Sequence, residues 1–270
     1  MGFCLLYNYV FFYNNQIIKI MHKNKILVSI PVFNEAEVRD IIQRVNNFHL
    51  DILVIDDGST DGLHKELINF RNIRVITHPR NLGYGKTIID AFTFAIENGY
   101  DYLLTIDSDG QHEPEEISLF LKEIPFYDCD ILSGSRYYFP ARPDNGFPQE
   151  RYLINKEITS IINKITGFNV TDAFCGFKAY KVEKLKLMHL TEHGYGMPLQ
   201  VWIQAWKLGL RVREIPVKLI YKDLSKQFLG ILKNPVTRLN YYKNIIEKEI
   251  TDTVQNDIAV RKTRKLYYNT

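Results

Sequence analysis

From residue 25 to residue 135, short runs of β-branched and apolar residues alternate with stretches whose apolar residues recur at helical spacing. The runs at 26–30, 52–55, 73–77, 102–106 and 131–133 read as strands. The stretches at 35–48, 62–70, 85–98 and 114–124 read as helices, the last with Pro114 in its first turn. Such alternation is satisfied by a mostly parallel sheet with helices on both faces and right-handed crossovers, a three-layer α/β/α fold. Ligands of these sheets bind beyond the carboxyl ends of the strands. Nearly every polar cluster of this segment falls at such an end.

The sharpest cluster is Leu104-Thr105-Ile106-Asp107-Ser108-Asp109-Gly110-Gln111. In extended chain, alternate residues point the same way, so Asp107 and Asp109 face one point. Two hard oxygen donors suit Mg²⁺ or Mn²⁺ better than a soft metal. Gln111 can add an amide oxygen. An Asp-x-Asp pair alone also occurs in surface turns, so its weight comes from its neighbours. After the second strand stand Asp56-Asp57-Gly58-Ser59-Thr60-Asp61-Gly62. Asp56 or Asp57 can accept hydrogen bonds from the N–H edge of a uracil or guanine, or close an Asx turn. Asn81-Leu82-Gly83-Tyr84-Gly85-Lys86 places two glycines before a helix, a turn that caps the helix or offers backbone N–H groups to an anion. Its spacing fits neither a Walker nor a Rossmann phosphate loop.

Composition bounds the rest. The 270 residues are 46% hydrophobic and 24% charged, with a net charge of +3, ordinary for a globular protein and too mild for a nucleic-acid binder. Cys4, Cys129 and Cys175 are odd in number, widely spaced and without metal-ligand spacing, which fits a reducing cytoplasm. No run reaches the roughly 20 apolar residues of a membrane span. The apolar stretch 2–12 lacks the basic start and cleavage site of a signal peptide. It reads first as a product of start-site choice, since Met21 precedes the first strand; a docking segment and an extra ordered element are the alternatives. We therefore expect an extension at 1–22, a catalytic domain at 23–226 and a basic helical tail at 227–270. The tail's stretch 239–250 reads as a helix packed on the domain, with a membrane-surface helix as the alternative.

Taken in order, Ser29-Ile30-Pro31-Val32-Phe33-Asn34-Glu35, the Asp56 cluster, the Asn81 turn, Asp107-Ser108-Asp109-Gly110-Gln111-His112-Glu113-Pro114 and Gly134-Ser135-Arg136-Tyr137 resemble the family 2 glycosyltransferases of the GT-A fold. The likeness runs over about 25–226 and is strongest toward the dolichol-phosphate mannosyltransferase-like branch. It implies a metal-dependent, inverting transferase. Such an enzyme moves a sugar from a nucleotide-diphosphate donor to an acceptor, with a polyprenyl phosphate or a sugar hydroxyl as the acceptor. It implies donor contacts from Pro31, Phe33, Glu35, Asp56, Asp57, Asn81, Gly83, Lys86 and Asp107, and a cation on Asp107, Asp109 and Gln111. His112 receives no role.

The second half departs from the family pattern. Asp172-Ala173-Phe174-Cys175-Gly176-Phe177-Lys178 resembles a segment usually written Asp-x-x-Ser-Gly-Phe-Arg, with Lys178 a point charge where relatives have a planar fork. Gln200 stands where relatives have Glu, and Lys226 falls near the family's basic Ser-Lys end. Arg136 and Lys178 are expected to meet phosphate charge, and Asp172 is the candidate base should the acceptor be a hydroxyl. The expectation is therefore a cytoplasmic enzyme of cell-envelope biogenesis, peripheral at the membrane face, using lipid-phosphate or glycan acceptors. A non-catalytic nucleotide-sugar-binding protein is the alternative of another class.

Overall fold

A computed structural model of the chain describes residues 24–124, 128–139, 149–220 and 230–267. The segment 1–20, most of the loop at 137–149 and Lys226 lie outside these residues. Among the described residues seven strands form one sheet: β1 (Ile26–Val32), β2 (Asp51–Asp56), β3 (Ile73–Thr77), β4 (Tyr102–Thr105), β5 (Ile131–Ser135), β6 (Lys178–Lys181) and β7 (Val212–Pro216). Their order is β3-β2-β1-β4-β6-β5-β7. All neighbours pair in parallel except β6, which runs antiparallel to both β4 and β5. The helices are α1 (Val38–Asn46), α2 (Leu63–Leu67), α3 (Tyr84–Glu97), α4 (Ile117–Glu123), α5 (Gln149–Thr166), α6 (Val182–Leu185), α7 (Met197–Lys207) and α8 (Pro235–Tyr267).

The two-residue period of a strand explains why both faces are covered. Every residue of β1 is buried. Ile26, Val28, Ile30 and Val32 pack with Val38, Ile41, Ile42 and Val45 of α1 and with Ile117, Phe120 and Leu121 of α4. Leu27 turns to the other face, with Leu53, Ile55 and Leu103, under Ile88, Ala91, Phe92 and Ala95 of α3 and Met197, Val201 and Ala205 of α7. Each large side chain so buried contributes about 1.5–3 kcal/mol. A third cluster joins α5, α7 and α8 through Ile158, Ile162, Trp202, Ile203, Tyr242 and Ile246. The C-terminal helix therefore packs on the body, and this brings two of its residues to the cavity described below.

Two differences from the sequence reading have local causes. Helix α1 starts at Val38 rather than Glu35 because Asn34 adopts a left-handed conformation (φ 53°). The Asn34 amide accepts from Thr60 N–H (2.8 Å) and its backbone N–H donates to Ser59 Oγ (3.0 Å), which turns the chain before the helix. Strand β6 was not anticipated. It is four residues long and two of them are lysines, yet it lies in the middle of the sheet.

Candidate active site

Strands β1, β2 and β4 are parallel, so their polar ends meet at one edge of the sheet. Of the residues singled out from the sequence, Pro31, Phe33, Glu35, Asp57, Asn81, Gly83, Asp107, Asp109, Gln111 and Arg136 line one cavity of about 870 Å³. Asp56, Lys86, Asp172, Lys178 and Gln200 are not among its described lining residues. Asp56 is buried and accepts from Ser59 N–H (2.8 Å), forming the turn after β2.

Asp57 organises the turn at 81–83. Its Oδ1 accepts from Leu82 N–H (2.8 Å) and lies 2.6 Å from His78 Nδ1; its Oδ2 accepts from Gly83 N–H (2.9 Å). The N–H groups that sequence alone left open for an anion are thus directed at Asp57. Lys86 N–H likewise bonds the carbonyls of Gly83 (3.0 Å) and His193 (3.2 Å), and the Lys86 ammonium pairs with Asp90. Gly83 has φ 106°, and a Cβ there would collide with the His193 carbonyl oxygen. The glycines of this turn serve the close approach of the 192–194 segment. Gln200 fixes that segment from below: its Oε1 accepts from Thr191 N–H (2.7 Å) and Glu192 N–H (2.9 Å), and its amide donates to Glu249 of α8. Both ends of the Gln200 amide are thus engaged in bracing this segment, and Gln200 is not among the described residues that line the cavity.

At the end of β4, Asp107 accepts from the Tyr84 hydroxyl (3.1 Å). A Cβ at Gly176 would overlap the Asp107 carboxylate, so only glycine leaves it room. Burial, then the neighbouring charge of Asp109, pushes the Asp107 carboxyl up to about 6. Asp109 accepts from Gln111 N–H (3.0 Å), closing a local turn. A half-buried carboxylate, raised by desolvation and by a second carboxylate on the same cavity, forms with it a donor pair that a hard divalent cation would stabilise. Among the described residues no group of three or more His, Cys, Asp or Glu forms a fuller cation cage. His112 lies beneath, 3.8 Å from Asp107, held neutral at about 3 by burial first and then by the Arg136 charge.

Arg136, at the exit of β5, reaches the cavity from the other side. Its Nε and one terminal nitrogen donate to Asp172 (2.7 and 3.0 Å). Asn155 Nδ2 also donates to Asp172, at 2.7 Å. Burial raises the Asp172 carboxyl, but the charge and hydrogen bonds of Arg136, with that of Asn155, more than offset it and leave it at about 2. Asp172 is fully buried. The sequence reading of Asp172 as a base is therefore corrected: the carboxylate is consumed in orienting Arg136. Lys178 is also redirected. Its ammonium bonds the Cys175 carbonyl and sits 5.4 Å from the centre of the Trp202 ring, inside the protein.

The remaining wall was not found from sequence. Tyr84 and Tyr195 stack at 6.1 Å and 14°. Arg151 and Ile154 of α5 and Arg238 and Tyr242 of α8 line the cavity with Tyr137 and Phe174. Arg238 donates to the Leu232 carbonyl (2.7 Å) and pairs with Glu150 at the start of α5. Spacings of three and four put each helical pair on one face, but nothing in the sequence says which face meets the cavity.

A mostly parallel sheet carrying this cavity at its carboxyl edge is the architecture of a nucleotide-sugar transferase of the GT-A fold. Glucosyl-3-phosphoglycerate synthase from Mycobacterium tuberculosis superposes with a TM-score of 0.65 at 17% identity, over 87% of this chain and 82% of that one. The model of glycosyl transferase family 2 matches residues 27–188, more than half of the chain. The chain belongs to that family, in its dolichol-phosphate mannosyltransferase-like branch, and is a glycosyltransferase. It is 28% identical over 232 residues to an undecaprenyl-phosphate mannosyltransferase of Micrococcus luteus (80% of this chain, 92% of the relative). It is 29% identical over 210 residues to a polyprenol monophosphomannose synthase of Mycolicibacterium smegmatis (74% and 78%).

Proposed function

We propose that this glycosyltransferase moves a sugar from a nucleoside-diphosphate donor to a polyprenyl phosphate, with inversion at the anomeric carbon. One observation carries the choice of acceptor. Among the described lining residues, those from 136 onward contribute Arg136, Arg151 and Arg238 and no carboxylate. A hydroxyl acceptor needs a base within reach. An anionic phosphate acceptor needs instead its charge matched, which guanidinium groups do well. The names of the relatives, undecaprenyl-phosphate mannosyltransferase and polyprenol monophosphomannose synthase, support the same reading.

Asp107 and Asp109, with Gln111 beside them, would hold Mg²⁺ or Mn²⁺, which when bound neutralises diphosphate charge as the sugar–phosphate bond breaks. Asp57 has three of its roughly four acceptor positions filled. The remaining one, on Oδ2, is available to an N–H of the base. Arg136, held rigid by Asp172, sets an acceptor phosphate oxygen against the anomeric carbon on the face opposite the leaving diphosphate. A carbon–oxygen bond to the acceptor forms as the bond to the β-phosphate breaks, and no proton moves. Glu35, Pro31, Phe33 and Asn81 shape the donor side.

A lipid acceptor calls for work at a membrane surface. Tyr138, Phe139 and Leu153 are exposed beside the lining residues Tyr137, Arg151 and Ile154 and support peripheral contact there. Among the described residues no helix is long and apolar enough to cross a membrane. The test is incubation of the purified chain with labelled GDP-mannose or UDP-N-acetylglucosamine, Mn²⁺ and undecaprenyl phosphate in detergent. Label is expected in the lipid phase only when the phosphate is present. Transfer to free sugars with no use of the lipid phosphate would overturn the acceptor assignment.

A further inference from the structure

The buried imidazole of His78 is used by none of the steps above, and it joins two carboxylates. Nδ1 lies 2.6 Å from Asp57 Oδ1 and Nε2 lies 2.9 Å from Asp90 Oδ2. Asp90 in turn pairs with Lys86, one helical turn before it on α3. Asp57 comes from the loop after β2, His78 from the residue after β3, and Asp90 and Lys86 from α3. These are the charged groups that the described structure sets against the ring. His78 N–H also donates to the Asp56 carbonyl (2.8 Å), so its backbone is anchored as well.

A neutral imidazole has one N–H and one lone pair. With a carboxylate oxygen at hydrogen-bond distance from each nitrogen, one contact would then set lone pair against lone pair. A proton on both nitrogens turns both contacts into charge-assisted hydrogen bonds. With both protons in place, Asp57, His78, Asp90 and Lys86 would form an alternating line of charges running from the cavity wall. The consequences lie at the cavity. Asp57 holds the N–H groups of Leu82 and Gly83, and the next residue, Tyr84, donates to Asp107. The same helix that presents Tyr84 carries Asp90.

We propose that His78 is a positioning residue of the donor site: protonated on both ring nitrogens, it clamps Asp57 to Asp90 and thereby sets the 81–83 turn and Tyr84 against the bound nucleotide sugar. The role rests on the donor reading given above. It assigns His78 no contact with substrate. It requires that loss of the clamp weaken donor binding while leaving the chemical step largely untouched, because the geometry it sets exists before and during the reaction.

Two measurements on the full chain test it. In ¹⁵N-resolved NMR of the wild type, both ring nitrogens of His78 are expected to show the protonated pattern. The split pattern of a neutral tautomer would overturn the clamp, and this arm is independent of any substrate. In steady-state assays with GDP-mannose or UDP-N-acetylglucosamine and Mn²⁺, His78→Gln and Asp90→Leu are expected to raise the donor KM roughly tenfold, the equivalent of one charge-assisted bond, with kcat little changed. Asp90→Asn is the rescue: its amide can donate to Nε2 of a neutral ring, so its KM should rise less than that of Asp90→Leu, with His78 turning neutral by NMR. Equal donor KM in all variants, or a fall in melting temperature with no change in KM, would reduce His78 to a structural residue. A wild type that turns over no nucleoside-diphosphate sugar in a panel of GDP-, UDP- and dTDP-sugars would refute the donor reading. The NMR arm, with the Leu82 and Gly83 amide signals of wild type and His78→Gln, would still decide the clamp: unmoved signals would sink it.

Discussion

The two walls of the cavity differ in charge, in origin and in how they are held. The wall from residues 31–111 comes from the ends of parallel strands and carries Glu35, Asp57, Asp107 and Asp109. The wall from residue 136 onward comes mainly from β5, α5, α7 and α8, and among its described residues the charged groups are Arg136, Arg151 and Arg238. The arginines of the second wall are interleaved with Tyr137, Ile154, Phe174 and Tyr242. Under the function proposed above, the contrast becomes a division of labour: donor and cation would sit on the acidic side and the acceptor's charge on the basic side, with the reacting carbon between.

The largest effect is expected where the acidic wall is weakened. Asp109→Asn keeps the shape of the side chain and removes its charge, so transfer should fall by about 10²–10³, the scale of losing one electrostatic stabiliser. The melting temperature should hold. Initial rates at saturating Mn²⁺ check this, and full activity would break the assignment of the cation to that wall.

Next comes the pairing that orients the basic wall. Arg136→Ala should lower turnover about 10²-fold. Asp172→Asn should lower it too, because the guanidinium loses its carboxylate, and should destabilise the fold by about 3–5 kcal/mol, since a buried charge is left without its partner. The distinguishing measurement is the pH–rate profile of Asp172→Asn. Loss of a general base would remove the acidic limb; loss of a positioning group would shift the whole curve down with its shape kept.

A smaller effect separates the walls by ligand. Arg151→Ala and Arg238→Ala should each raise the acceptor KM about tenfold, one charge-assisted hydrogen bond in size, and leave the donor KM unchanged. A rise in donor KM instead would erase the division between the walls. The smallest effect concerns acid stability. The Asp172 carboxyl is held at about 2, below the ordinary value of about 3.9. Its contribution is complete above about pH 4 and is lost as the pH falls through about 2. Urea midpoints between pH 5 and 2 should therefore fall less steeply in Asp172→Asn than in the wild type.

How much of this was legible in the chain depended on the kind of signal. The first wall was readable because a parallel sheet gathers the residues just past each strand end at one edge, so sequence order alone collects Pro31, Asp57 and Asp107. Even there, contacts decided the roles: Asp56 and Asp57 are adjacent and both buried, yet Asp56 closes the turn after β2 while Asp57 lines the cavity. The second wall was mostly hidden. Lys178 carried the look of a phosphate ligand, but the antiparallel β6 turns it inward toward Trp202. Gln200 stood where relatives have Glu and read as a substrate contact; in the structure it brackets the 191–192 backbone. Arg238 lay in what read as a tail.

By itself the sequence determined the alternation of strands and helices, the mostly parallel layers, the paired carboxylates of Asp107 and Asp109 and the family. All of these depend on local pattern: the two-residue period of a strand, the 3.6-residue period of a helix, and short motifs at strand ends. Only the tertiary structure decided which charges cancel one another and which face the cavity. It spent Asp172 on Arg136, placed His78 between Asp57 and Asp90, and brought α8 against α5 and α7 so that Arg238 and Tyr242 complete the wall. The reason is physical. Pairing and burial depend on distances between residues far apart in the chain, and those are set by how helices pack on a sheet, which no local pattern records.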